Sequence, residues 1–178
     1  MYQKINLGCG PHALAGWGNF DAAPHPGIVM CDLTRGLPGV KDNSVKFIFS
    51  EHFIEHLTLS EFRSLLRECF RVMEVGGVIR LSTPNLRVLC NLYLQGDISY
   101  WAPTWEPKTP CQLMNEGMRL WEHKFLFDEH ELTAQLLEVG FVNVEPAPWH
   151  DSRYEELRGL EVRPFKADLI LEATKGSL

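Results

Sequence analysis

Two glycines and two aspartates near the start of the chain are spaced as groups that hold a nucleoside. The run Ile5-Asn6-Leu7-Gly8-Cys9-Gly10-Pro11 ends an apolar stretch in glycine. Asp21 closes Trp17-Gly18-Asn19-Phe20, and Asp32 closes Ile28-Val29-Met30-Cys31. Glycine lacks the Cβ that would keep a ligand away from the backbone. Carboxylates at strand ends accept hydrogen bonds from sugar hydroxyls and a base amine. Taken alone, either aspartate reads as a turn or cap residue. In order behind the glycine loop, they outline a nucleoside pocket on the carboxyl edge of a parallel sheet.

A second group follows at Ser50-Glu51-His52-Phe53-Ile54-Glu55-His56. His52 to His56 matches the H-x-x-E-H pattern of inverted zinc peptidases. On a helix the two imidazoles would share a face and grip zinc while Glu55 activated water. Patterns this short match often by chance, and a zinc hydrolase would leave the glycine and aspartate array unexplained. The expectation is therefore no metal, with Glu55 and His56 paired inside a strand-to-helix connection. His52, Glu51 and, from later loops, His123 and His150 are candidates for a catalytic base. Each is equally at home as a capped or solvated side chain.

These residues need a scaffold. Strands are expected at 4–8, 18–21, 27–31, 44–50 and 78–82. Ser60 can cap a helix to Met73, with Phe62, Leu65, Leu66, Cys69 and Phe70 on one face. Gly76-Gly77 ends that connection. Asp128 caps a helix to Val139 with Leu132, Leu136 and Leu137 inward, stopped by Gly140. Strands at 141–144 and 167–173 flank a short helix at 154–160. Strands alternating with helices or crossovers imply an α/β, parallel sheet. Residues 86–121 differ. After a short helical stretch at 86–94 they carry Pro103, Pro107 and Pro110 among Tyr93, Tyr100, Trp101, Trp105 and Trp121. A tract this long without periodicity suits an active-site lid, or more plainly a flap over apolar core.

The 178 residues fit one domain spanning 1–178, and 45% hydrophobic with 22% charged residues is an ordinary soluble balance. A net charge of -6 without a Lys/Arg run argues against a nucleic-acid surface. Five scattered cysteines without a Cys-x-x-Cys suit reduced thiols in the cytoplasm. No apolar run reaches membrane-spanning length, and strand-like residues from position 5 leave no room for a signal peptide.

On INLGCG, GWGNFDAA, CDLTRGLP, FSEHFIEHL, LLRECFRVMEVGGVIRLSTPN and WEHKFLFDEHELTAQLLEVGF, the chain resembles the class I S-adenosylmethionine-dependent methyltransferases, in particular the small type-11-like family. The resemblance implies a single-domain Rossmann-like fold with a seven-stranded, mostly parallel sheet and an antiparallel last pair. It implies S-adenosyl-L-methionine as cofactor. Leu7, Gly8, Cys9 and Gly10 would pass beneath its methionine portion, and Asp21 with Ala22 would hold the ribose. Asp32 and the Leu33 backbone would face the adenine, and Ser50 would lie near the sulfonium. The acceptor would be a small hydroxylated or sugar-linked molecule taking the methyl on oxygen or nitrogen. No Asn-Pro-Pro-Tyr or Asp-Pro-Pro-Tyr follows the fourth strand, which disfavours methylation of base amines or protein glutamine.

One departure bears on the cofactor. Gly10 and Asp21 are eleven positions apart, so Pro11 to Trp17 has room for one or two helical turns. A dinucleotide fold places its acid about twenty positions on and sets a helix N-terminus against a pyrophosphate. Adenosylmethionine has no phosphate, so the shortened helix favours a methyltransferase over a dehydrogenase. It also keeps open a catalytically silent partner subunit of the same fold.

Overall fold

A computed structural model describes residues 2–98, 105–163 and 168–177. Its sheet contains β1 (Lys4–Leu7), β2 (Gly18–Asp21), β3 (Val29–Met30), β4 (Val45–Glu51), β5 (Met73–Thr83), β6 (Phe141–Pro146) and β7 (Leu169–Lys175). The seven strands lie in the order β3-β2-β1-β4-β5-β7-β6. The first five are parallel, and β7 runs antiparallel to both β5 and β6. The carboxyl ends of β1, β2 and β4 therefore lie along one edge. Register aligns Leu7 with Phe20 on one side and Ser50 on the other.

Alternation along each strand divides the residues between two faces. Ile5, Leu7, Phe20, Ile48, Ile79 and Leu81 face α1 (Leu59–Val72) and α4 (Glu129–Val139) in the main core. Helix α1 starts two residues before the expected Ser60 cap. Thr58 and Glu61 form a reciprocal capping box, satisfying two orphan donors where Ser60 would satisfy one. Helix α4 has the expected Asp128 cap and left-handed Gly140. Leu137, expected inward, is 53% exposed. Strand β5 is longer than expected because Gly76-Gly77 sits inside it: Val45 pairs with Met73 and Phe47 with Val78, so 74–77 bulge opposite Lys46.

The opposite face carries Asn6, Asn19, Phe49 and Arg80, and no helix crosses between β1 and β2. The turns at 8–17 fall short even of the one or two helical turns expected. Two buried amides satisfy their backbone instead. Asn19 Oδ1 accepts from Leu14 N at 2.8 Å and from Asn6 Nδ2, which also donates to His12 O. This face is covered by the segment before β7, where Leu157, Tyr154 and Leu160 pack on Phe47, Val78 and Trp17. Arg80, fully buried, pins that segment. It donates to Glu161 and Glu172 at 2.6 Å each and to the carbonyls of Pro148 and Asp151. The expected helix at 154–160 is a single 3-10 turn, Glu155–Leu157.

The proline-broken tract contains more helix than expected. After α2 (Leu86–Gln95), a further helix α3 (Pro110–Arg119) starts at Thr109 with proline in its first turn, where the missing N–H costs nothing. Leu89, Leu92, Trp105, Leu113 and Leu126 make a separate small core. Tyr100, Trp101 and Pro103 lie outside the described residues. No helix among the described residues is long and apolar enough to cross a membrane.

Candidate active site

The glycine loop and the first aspartate meet at the carboxyl edge. Gly8 and Cys9 donate their N–H groups to Phe20 O, and Gly10 N donates to Asp21 Oδ2 at 2.7 Å. The other Asp21 oxygen accepts from Ala23 N. Gly8 and Gly10 both have positive φ, and a Cβ at Gly10 would meet nothing within 4 Å. A Cβ at Gly8 would lie 2.1 Å from the Phe53 ring. Phe53 thus roofs the first glycine, a contact with no signal in local spacing. Beside the loop a cleft of about 400 Å³, open mouth included, is lined by Gly8, Cys9, Gly10, Glu51, Val162 and Arg163 among others. The Cys9 thiol is pushed up to about 11 by burial and by the Asp21 carboxylate, so it stays protonated.

The other cofactor candidates are more occupied. Asp32 caps the 3-10 turn Leu33–Arg35, accepting from Thr34 N and Oγ1. Those hydrogen bonds hold its carboxyl below the usual range. Leu33 is buried in the main core, while Ala22 is exposed beside Asp21. Ser50 donates its hydroxyl to Leu7 O between β1 and β4. It is 1% exposed, so its side chain ties the strands together and does not face the edge.

Two of the four candidate bases, Glu51 and His52, are engaged as anchors. Glu51 accepts from the backbone N–H of Val162 and Arg163, closing the cleft from the far side. His52, at φ 49°, places Nε2 2.6 Å from Asp168 and Nδ1 3.2 Å from Glu55. Burial disfavours its charge, but hydrogen bonds to Asp168 and Glu55 outweigh that and raise its pKa to about 10. An imidazolium flanked by two carboxylates has no lone pair with which to take a proton. Held this way, His52 serves as an anchor between two acids; Asp168, more than a hundred residues away, gave no sequence signal. His150 is engaged too, its Nε2 2.7 Å from Glu161 O and its ring stacked on Trp149.

The H-x-x-E-H segment is not an α-helix. A 3-10 turn at Ile54–His56 sends His52 toward Asp168 and His56 toward His123. The two histidines of the zinc pattern therefore diverge. His56, His123 and Glu55 converge instead, one ligand atom of each lying within 4.8 Å of the others. Glu55, fully buried, accepts from Thr83 Oγ1 at the end of β5. Its backbone carbonyl accepts from Lys124 and Phe125 N–H, which fastens the 123–127 segment over the edge. His123 donates its Nδ1–H to Gly117 O at 2.9 Å. Burial holds its pKa below the ordinary imidazole value, leaving it neutral.

The family model described as a methyltransferase domain matches residues 6–81, from the glycine loop through β5. Over those residues the chain is similar to the methyltransferase-domain family, and its fold as a whole is shared with S-adenosylmethionine-dependent methyltransferases. No curated protein matches the sequence. A SAM-dependent methyltransferase from Archaeoglobus fulgidus shares the fold at 19% identity and a TM-score of 0.63, over 98% of this chain and 86% of that one. A possible histamine N-methyltransferase from Thermotoga maritima does so at 16% identity and 0.62, over 97% and 81%. Phosphoethanolamine N-methyltransferase 2 of Haemonchus contortus, in complex with S-adenosyl-L-methionine, matches 99% of this chain at 11% identity and 0.60, but only 49% of its own length.

Proposed function

We propose that this methyltransferase domain moves the methyl group of S-adenosylmethionine to a small-molecule or sugar-linked acceptor, on oxygen or nitrogen. The observation that carries the reading is the join of Gly10 to Asp21 at the carboxyl edge, beside an open cleft. The residues present fit the cofactor. Open backbone at Gly10 can pass beneath the methionine portion. Each Asp21 oxygen uses one lone-pair site on a loop N–H, which leaves the other for a ribose hydroxyl. Asp32 and the Leu33 backbone stand at the next turn for the adenine edge. Ser50 keeps β1 and β4 in register beneath the cofactor.

When bound, adenosylmethionine supplies an electrophilic methyl on a sulfonium. The protein's task is then alignment of an in-line displacement and exclusion of water. Glu51 holds Val162 and Arg163, and His52 holds Asp168, against the edge. His123 is the expected catalytic residue that stays with the acceptor side. A net charge of -6 supports a small acceptor over a nucleic acid.

Asp21→Ala is expected to weaken adenosylhomocysteine binding by roughly 1–3 kcal/mol, the worth of a charge-assisted hydrogen bond. Calorimetric titration checks this, and unchanged affinity in a folded variant would remove Asp21 from the pocket. The absent helix between β1 and β2 favours one second reading, a silent cofactor-binding subunit. Cofactor binding without adenosylhomocysteine release across an acceptor screen would establish it.

Residues 86–121 are proposed as an acceptor-side cover. Trp105, 9% exposed and donating to Glu116 at 2.6 Å, packs in the core shared by α2 and α3. Trp105→Ala is expected to loosen that pair, costing turnover and leaving cofactor affinity unchanged. Equal losses in both would place the tract in the cofactor pocket.

A further inference from the structure

We propose that Glu55, His56 and His123 form a binding site for a divalent transition-metal ion at the acceptor end of the sheet. Two imidazoles and one carboxylate are a donor set for ions of this class, leaving coordination positions for an outside oxygen. Ligand atoms around one such ion stand about 3–3.5 Å apart, and the three ligand atoms lie within 4.8 Å of one another, so the side chains need close by at most about 1.3–1.8 Å.

Each ligand is prepared for the task. Glu55 is fully buried, and His52 Nδ1 faces its Oε1 at 3.2 Å. Its second oxygen accepts from Thr83, the kind of outer contact that orients a ligating carboxylate. The His123 Nδ1 contact to Gly117 O puts the proton on that nitrogen and bares Nε2 for an ion. Trp121 and Glu122, both at positive φ, deliver His123 to the face of His56, with ring centroids 5.1 Å apart.

The use of this ion rests on the methyltransferase reading above. It would hold an acceptor hydroxyl in line with the methyl group. The hydroxyl loses its proton to water, its oxygen forms the new bond to the methyl carbon, and the sulfur–methyl bond breaks. That bond's electron pair stays on sulfur as neutral adenosylhomocysteine.

The test uses cobalt(II) as probe on the full chain after dialysis against a chelator, read by visible absorption and calorimetry. One equivalent should bind, and His56→Ala and His123→Ala should each weaken it at least about tenfold. Adenosylhomocysteine affinity should be unchanged in both variants. Glu55→Gln, which keeps an acceptor for Thr83, should behave alike. No stoichiometric cobalt, or equal binding by the folded histidine variants, overturns the site. Cobalt bound as expected by a chain that fails to bind adenosylhomocysteine would sustain the metal site and sink the methyltransferase reading instead.

Discussion

Arg80→Ala is expected to lower the thermal unfolding midpoint by about 6–20 °C, corresponding to about 3–5 kcal/mol for breaking a buried ion pair in a chain of this size. The side chain is 0% exposed in the middle of β5 and ties Glu161, Glu172 and two carbonyls to the sheet. Its removal leaves two carboxylates unpaired in surroundings made for a cation. The damage should spread, because this segment covers the face where crossover helices are missing, and its end at Val162 and Arg163 is held by Glu51. Thermal denaturation followed by circular dichroism checks the shift. A change under about 2 °C would mean that the packing of Leu157 and Tyr154 carries the cover alone.

Gly8→Ala is expected to abolish cofactor binding in a chain that still contains its sheet. The new Cβ would fall 2.1 Å from Phe53 Cγ and 2.4 Å from its Cβ, at φ +62°. Neither atom is the far end of a flexible chain, so Phe53 and the turn that carries it must shift. Gly10→Ala makes the useful contrast. It meets nothing within 4 Å, and it bears the strain of a left-handed backbone, about 1–2 kcal/mol. Calorimetry with adenosylhomocysteine should show no heat for the first variant and weakened binding for the second. Adding Phe53→Ala to Gly8→Ala should relieve the clash and leave only the backbone strain. If the double variant binds no better, the glycine serves the ligand directly and not the ring.

Much of this architecture was legible in the residues. Period-two alternation at Ile5 and Leu7, the apolar run from Val45 to Phe49, and the Asp128 and Gly140 caps depend on neighbours a few positions away. Local patterns fix such elements because strand pleat and helix capping are themselves local. The Thr58 capping box was equally present as Thr-x-x-Glu, and Ser60 obscured it. The glycine loop and Asp21 could be paired in advance because one strand and one turn separate them.

What spacing could not supply was the set of partners of each polar side chain. Glu51 and His52 read equally as bases or as capped side chains at a strand end, and His52 to His56 matched a zinc pattern that could be set aside only on the glycine and aspartate array, because sequence shows residue types and not the direction of the chain. A 3-10 turn at Ile54–His56 rotates the two histidines apart. Contacts spanning 116 positions to Asp168 and 81 positions to Glu161 then decide which groups are anchors. Residue order by itself determined the sheet, the glycine loop and the acid that follows it, because these are short-range consequences of apolar alternation and of glycine. Tertiary structure alone decided that His52 sits between Asp168 and Glu55, that Arg80 is the clasp of the face without a crossover helix, and that His56 meets His123. Burial and pairing between distant segments set the state of a titratable group, and neither exists until the chain has folded.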